Sequence, residues 1–174
     1  YPLQIADGLF VSRDFQKRML EMIASDKVPL RDRRYRYSCL NFVLLKAMVE
    51  QISGMPMDEY LEREFYAPMG MTHTLYNPLR RYSAEQIVPT VQKDYLRGRK
   101  ELRGYVHDEI AAFMGGVSGN AGLFSNAHDV AKVYQMLVDG GQYGGKRYLS
   151  LETCQLFMNK KSRISRRALG FDKP

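Results

Sequence analysis

The segment 35–54, YRYSCLNFVLLKAMVEQISG, constrains the fold of this chain more than any other. Two tyrosines in a turn lead directly into a long amphipathic helix. Ser38 can cap the helix by accepting a hydrogen bond from an amide of the first turn, and Gly54 can end it. The pattern predicts a helix with one packed face that holds Tyr37 rigidly at its start. The face consists of apolar residues at three- and four-residue spacing: Leu40, Val43, Leu44, Ala47, Met48 and Ile52.

The length and composition indicate a globular protein. A chain of 174 residues that is 45% hydrophobic, with twelve Tyr and eight Phe, is long enough for one domain with a core. No run approaches the roughly 18 apolar residues that a membrane span requires. Because the chain begins at Tyr1 without an initiator Met, we expect a piece of a longer protein.

The positive charge is distributed over separate clusters. Lys and Arg number 26 against 19 acids, and the clusters lie at 31–36, 80–81, 93–103 and 160–167. Several contain acids, and none is the stripe of basic and interleaved aromatic residues typical of a nucleic-acid module. We interpret them as solvated loops, with a nucleic-acid-binding surface as the less favoured alternative.

The sequence predicts no metal site and no cofactor. Cys39 and Cys154 form neither a disulfide framework nor a set of metal ligands. His73, His107 and His128 lack the helical spacing that would pair them on one face.

The remaining pattern predicts a mostly α chain with a few short strands. Helices are expected after the capping residues Ser12, Ser125 and Ser150 and over 58–66, with a further short helix that has Asp108 near its N-terminus, where a carboxylate suits the helix dipole. The helix after Ser125 is expected to bury Val130, Val133, Tyr134, Leu137 and Val138. Residues 80–103, with a strand-like stretch at 87–91, are expected to form surface.

Two segments are candidates for chemistry. The glycine-rich stretch 115–125 lacks the Lys and Ser/Thr of a phosphate-binding loop. Ser118 within it lacks the Gly-x-Ser-x-Gly pattern of a nucleophile, so we interpret it as a loop-shaping residue. Tyr37 is the better candidate, as a general base if a cation lies beside its phenol; the alternative is a packing residue.

The order of several segments resembles the serine hydrolases of the β-lactamase and penicillin-binding-protein superfamily, in the class C β-lactamase-like and esterase-like branch. The run Tyr37-Ser38-Cys39 and its helix resemble the Tyr-x-Asn motif of that family. Residues 52–74 are similar to the segment that follows the motif. Residues 104–133 are similar to the Val-His-Asp and Ala-Gly-Leu-Phe-Ser block.

The resemblance implies roles for individual residues. Tyr37 is implied to be the base or proton shuttle for a nucleophilic serine. Cys39 stands where the motif has its substrate-binding Asn, and a thiol is a poor donor and acceptor, which favours a carbonyl substrate other than a β-lactam. His107 and Asp108 match a structural His-Asp pair, and Asn120 replaces a loop-shaping His.

Two motifs of the family do not occur in these residues. No serine has a lysine three positions later, and neither Lys-Thr-Gly nor His-x-Gly is present. The resemblance therefore implies that residues 1–174 form one partial domain, the helical subdomain of an α+β serine-hydrolase fold, that is catalytically inactive by itself. Its partner is expected to be the rest of the same polypeptide.

The parent is expected to hydrolyse or transfer an acyl group of an ester, amide or peptidoglycan-related substrate through a serine acyl-enzyme. Such domains are usually exported in bacteria, and similar ones occur fused behind a glycoside hydrolase of the β-N-acetylhexosaminidase type. A noncatalytic interaction module on the same fold is the alternative, supported by Cys39 in place of Asn.

Overall fold

The computed structural model describes residues 2–25, 37–159, 163 and 166–172. Tyr35, the basic cluster at 31–36 and most of the cluster at 160–167 lie outside the described residues. The chain divides into two compact units. The first consists of Tyr1–Val28, Ser38–Glu62 and Thr74–Phe124, and the second of Pro29–Tyr37, Arg63–His73 and Ser125–Pro174.

The first unit combines four helices with three small antiparallel sheets. The helices are α1 (Asp14–Ser25), α2 (Leu40–Ser53), α3 (Met57–Leu61) and α4 (Glu109–Phe113). Strand β1 (Leu3–Ala6) pairs with β2 (Leu9–Val11), and β4 (Pro89–Asp94) pairs with β5 (Arg99–Arg103). Strand β3 (Leu75–Tyr76) pairs with the distant β6 (Leu123–Phe124) and brings the glycine-rich segment back to the middle of the chain.

The core of this unit lies between α4 and the β1–β2 hairpin. Ile5, Val106, Ala111 and Ala112 are buried there. Two consecutive alanines at 0% and 2% exposure let the short helix lie directly on β1. Phe113 continues the contact to Phe15 of α1, with the ring centroids 5.0 Å apart.

The second unit contains the π-helical turn that follows α3, then two helices and a hairpin. Its elements are α5 (Ala127–Val138), β7 (Gln142–Tyr143), β8 (Lys146–Arg147) and α6 (Leu151–Met158). Gly144 and Gly145 form the two-residue turn with φ of 57° and 78°, which side-chain-bearing residues adopt with difficulty. The buried carboxylate of Asp129 accepts a hydrogen bond from the His73 amide at 2.8 Å and so fixes the turn before β3 to α5.

The mostly helical fold with short strands is confirmed, as are most of the helix ends. Ser150 caps α6 and Asp108 caps α4, each accepting from an amide three residues ahead. Gly54 ends α2 in the left-handed conformation. The cap of α5 is Asn126 rather than Ser125. Cys39 occupies the cap position of α2, while the Ser38 hydroxyl accepts from the Leu40 amide at 3.2 Å.

The packed face predicted for α2 differs from the one observed. Val43 is fully buried, but Leu44, Met48 and Ile52 are 38%, 55% and 82% exposed. The inward face carries Lys46 instead, at 8% exposure. In α5 Leu137 is buried as predicted, but Val130, Tyr134 and Val138, also predicted to be inward, are exposed, and Met136 is buried instead.

The prediction that residues 80–103 form surface is wrong for three residues of the β4–β5 hairpin, whose other residues are exposed or half-buried. Asp94, Arg97 and Leu102 are 3%, 7% and 2% exposed. Asp94 and Arg97 form an ion pair inside the protein. The sequence shows two charged residues, which are typical of a solvated segment, but it does not show that they pair. None of the helices in the described part of the chain is long and apolar enough to cross a membrane.

Candidate active site

Residues 37–39 form the start of α2. The Cys39 carbonyl accepts from the amides of Phe42 and Val43 at 3.1 and 3.4 Å, which begins the helical hydrogen-bond ladder. The half-buried Cys39 side chain therefore sits at a fixed point, one residue before the helix. Its sulfur is not joined to that of Cys154 in a disulfide.

The Tyr37 ring lies beside a guanidinium group. Tyr37 is 69% exposed, and the guanidinium carbon of Arg167 lies 5.6 Å from the ring centroid. This is within the range of a cation–π contact. Arg167 was not among the predicted site residues, because residues 160–167 show no recognisable motif, only positive charge. Tyr37 thus combines an accessible phenol with a permanent positive charge beside it.

The glycine-rich loop contacts the first turn of α2. A Cβ atom on Gly119 would lie 2.2 Å from the Phe42 carbonyl oxygen and 3.6 Å from the Lys46 Cβ. Because the obstructing atom is backbone, no other residue fits without moving the helix or the loop. Glycine at this position sets how closely α2 approaches the loop.

Ser118, the other hydroxyl candidate, is held inside that loop. It is 1% exposed, and its hydroxyl lies 2.7 Å from Asn120 Oδ1, to which it donates. Asn120 Nδ2 in turn donates to Asp108 Oδ1 at 3.0 Å, and the same oxygen accepts from the Ala111 amide at 2.8 Å. A buried hydroxyl that is committed to a side-chain amide is a poor nucleophile, which agrees with a loop-shaping role.

Tyr76 supports the loop from its other side. Its hydroxyl donates to the Ser118 carbonyl at 3.3 Å. Burial, followed by the negative charge of Asp58, raises the pKa of Tyr76 to about 12. Tyr76 is therefore a neutral donor at physiological pH and unsuited to act as a base.

Lys46 on α2 is buried and forms an ion pair with the half-buried Glu50, which was not among the predicted site residues. Its Nζ atom lies 2.7 Å from Glu50 Oε2, and the other carboxylate oxygen accepts from the Met57 amide at 3.0 Å. The i, i+4 spacing of opposite charges was the signal available in the sequence. The pair joins α2 to the start of α3.

A cleft of about 350 Å³ opens elsewhere in the first unit. Neither Tyr37 nor Cys39 is among its lining residues, which include Gln4, Arg13, Asn77, Leu79, Arg80 and Tyr105. Within residues 2–25, 37–159, 163 and 166–172, no group of three or more His, Cys, Asp or Glu could hold a metal ion.

Comparison with known proteins places this geometry in a family. The Beta-lactamase family model matches residues 2–171. The chain belongs to the beta-lactamase family. This agrees with the resemblance drawn from the Tyr37-Ser38-Cys39 run and the segments after it.

Curated relatives share clear sequence identity with this beta-lactamase-family chain. A protein of Escherichia coli K12, provisionally named D-alanyl-D-alanine carboxypeptidase, is 36% identical over 185 residues. A protein of Salmonella gallinarum with the same provisional name is 33% identical over 183 residues. Each alignment covers 98% of the chain but 42% of the relative. The chain thus spans about two fifths of the length of these relatives.

Solved structures show the same fold at low identity. A Bacteroides dorei protein provisionally named a beta-lactamase has a TM-score of 0.57 at 20% identity, over 90% of this chain and 38% of that one. An octameric penicillin-binding protein homologue from Pyrococcus abyssi has a TM-score of 0.51 at 17% identity, over 84% and 35%. The beta-lactamase-like fold inferred from the motifs is confirmed.

Proposed function

We propose that this chain forms the helical part of a serine hydrolase that hydrolyses or transfers an acyl group through a serine acyl-enzyme. The observation that carries the proposal is the Tyr37-Ser38-Cys39 run at the start of α2, in a chain whose beta-lactamase match extends over residues 2–171. An exposed phenol three residues before α2, with a guanidinium beside its ring, is suited to proton transfer.

In the proposed reaction Tyr37 transfers a proton during acylation of the serine and again during hydrolysis of the acyl-enzyme. The serine hydroxyl gives its proton to the Tyr37 phenolate as its oxygen adds to the acyl carbonyl. Tyr37 then passes that proton to the leaving group as the C–N or C–O bond breaks. A water molecule repeats the sequence on the acyl-enzyme and releases the acid.

We further propose that the nucleophilic serine and the third motif are supplied by the rest of the same polypeptide. No serine in the 174 residues has a lysine three positions later. The exposed apolar side chains of Leu44, Met48 and Ile52 suggest that α2 is covered by that part. On this proposal residues 1–174 are a partial domain that is inactive by itself.

The proposed substrate is a peptidoglycan-related amide. Support comes from the provisional names of the Escherichia coli and Salmonella relatives, which refer to a D-alanyl-D-alanine carboxypeptidase. Cys39 offers a thiol where an amide donor is expected, and this favours a substrate other than a β-lactam. Because cell-wall peptides lie outside the cytoplasm, we propose that the protein is exported in a bacterium.

Active-site labelling of the full-length protein tests the proposal. We expect a fluorescent fluorophosphonate to label the full-length protein and not the isolated 174-residue chain. Tyr37→Phe should slow labelling by about 10²- to 10⁴-fold, because it removes the base. Tyr134→Phe is the matched control, since that ring is 57% exposed and lies outside the motif.

Three outcomes are informative about the alternatives. Labelling of the isolated chain contradicts its proposed inactivity. A full-length protein that no acyl-enzyme probe labels would favour the noncatalytic interaction module, for which Cys39 in place of Asn is the supporting observation. If the thiol restricts the substrate, Cys39→Asn should increase labelling by a fluorescent penicillin more than labelling by the fluorophosphonate.

A further inference from the structure

The tip of the β4–β5 hairpin exposes two large apolar side chains. Tyr95 is 87% exposed and Leu96 is 52% exposed, next to each other in the loop that joins the two strands. The aromatic and the aliphatic side chain lie side by side at the end of the hairpin. Such a pair is typical of a contact surface.

The loop that carries this pair is rigid. Arg97, two residues after Tyr95, donates from its backbone amide to Asp94 Oδ1 at 3.2 Å and from its guanidinium to Asp94 Oδ2 at 2.5 Å. The guanidinium also donates to the Val106 carbonyl at 3.1 Å. The buried side chains of Asp94 and Arg97 anchor the loop to the protein, while the side chains of Tyr95 and Leu96 are exposed to solvent.

Cations surround the exposed pair. The register pairs Gln92 with Glu101 and Asp94 with Arg99, and Lys93 and Lys100 lie next to these pairs in the two strands. Both lysines are exposed. Two exposed lysines close to the tip favour contact with an anionic surface.

Two of the acids near the tip are already paired with arginines. Asp94 is buried and paired with Arg97, and Glu101 lies 2.8 Å from the guanidinium of Arg103. Arg99, also exposed, donates to the backbone carbonyl of Asp7 and keeps its charge. The tip therefore exposes two apolar side chains, and residues close to them in the chain carry exposed positive charges.

We propose that this tip docks on the surface of an anionic lipid bilayer. Tyr95 and Leu96 insert at the level of the headgroups, where a ring with one polar end is favoured, and Lys93 and Lys100 contact lipid phosphates. Leu96 favours lipid over nucleic acid, because an aliphatic side chain provides no ring for a base to stack on. The proposal is independent of the acyl-transfer chemistry.

Vesicle co-sedimentation of the full-length protein tests this contact. We expect binding to vesicles of phosphatidylcholine with phosphatidylglycerol, weaker binding as NaCl rises, and little binding to phosphatidylcholine alone. Lys93→Gln and Lys100→Gln should each weaken binding about fivefold. The double variant Tyr95→Ser/Leu96→Ser should reduce binding by more than about tenfold.

Two exposed positions provide matched controls for these variants. Val88→Ser changes an 81% exposed apolar residue just before β4, and Lys17→Gln changes a lysine on α1 whose side chain is 83% exposed. Both should bind like the unaltered protein. No binding to anionic vesicles at low salt, binding unchanged by the tip variants, or equal binding to single-stranded nucleic acid would each overturn the proposal.

Discussion

At the scale of single residues, the most consequential side chains are charged ones that the fold buries. Asp94 and Arg97 are 3% and 7% exposed and lie 2.5 Å apart. Burial by itself raises the pKa of Asp94, but the hydrogen bonds and charge of Arg97, with a contribution from His107, outweigh it and hold the pKa below the ordinary value of 3.8. The carboxylate is therefore more stable as an anion in the folded protein than in the unfolded chain.

The pH dependence of stability follows from this direction. The contribution of Asp94 is fully present above its unfolded pKa of about 3.9 and is lost as the pH falls through the lower folded pKa. Asp94→Asn leaves Arg97 buried without its counter-charge and should cost about 3 kcal/mol in free energy of unfolding at pH 7. The variant should also lose less stability than the unaltered protein between pH 7 and pH 3.

Urea unfolding at the two pH values measures both effects. Glu64→Gln is the control, because its pair with Arg63 is on the surface, with side chains 39% and 60% exposed. It should change the free energy of unfolding by less than about 1 kcal/mol. Parallel pH profiles for Asp94→Asn and the unaltered protein would show that the pair does not link folding to protonation.

Residue-level prediction from the sequence succeeded where the signal was local. Ser150 caps α6 as predicted, because its side-chain oxygen reaches an amide three residues away and no distant residue is needed. Arg97 and Lys46 were missed because their burial depends on partners. The roles given to Tyr37 and Cys39 remain predictions that rest on the motif.

At the scale of elements, the close approach of the glycine-rich loop to α2 sets the position of that helix and of Cys39 before it. A Cβ atom on Gly119 would meet the Phe42 carbonyl oxygen at 2.2 Å, so the contact excludes every side chain. We expect Gly119→Ala to destabilise the protein by about 1 to 3 kcal/mol, as overpacking of a core does. In the full-length protein the resulting shift of α2 should also slow active-site labelling.

Gly170→Ala is the matched control for this change. A Cβ atom there would lie 3.7 Å from a Phe157 ring carbon, an ordinary contact, and neither glycine has a positive φ. Thermal melts of the two variants should therefore differ. Equal, small shifts in Tm would mean that the loop or helix moves aside at little cost, and that Gly119 does not fix the distance.

The helices also indicate how far a sequence pattern can predict packing. Periodicity located α2 and its end at Gly54, because both depend on residues within a few turns. It did not predict which face is buried. The helix is apolar on several sides, and such a helix suits coverage by more than one neighbour. Val43 is buried against the described residues, whereas Ile52 is not.

At the scale of the whole molecule, the exposed apolar face of α2 should have opposite consequences in two contexts. In the isolated 174-residue chain this face is solvent-exposed, with Leu44, Met48 and Ile52 at 38%, 55% and 82% exposure. In the full-length protein we have proposed that the rest of the polypeptide covers it. The same substitutions therefore distinguish a covered face from a free one.

The triple variant Leu44→Ser/Met48→Ser/Ile52→Ser should make the isolated chain less prone to associate, with little change in its unfolding free energy, about 0.5 kcal/mol per site or less. In the full-length protein each substitution should instead cost about 2 to 5 kcal/mol, because it removes a buried side chain. Sedimentation velocity and urea unfolding of both forms measure the two effects, with Val88→Ser as a control for exposed apolar residues. If the full-length protein tolerates the triple variant, then α2 is not covered in it. The partial-domain proposal would then lose its structural support.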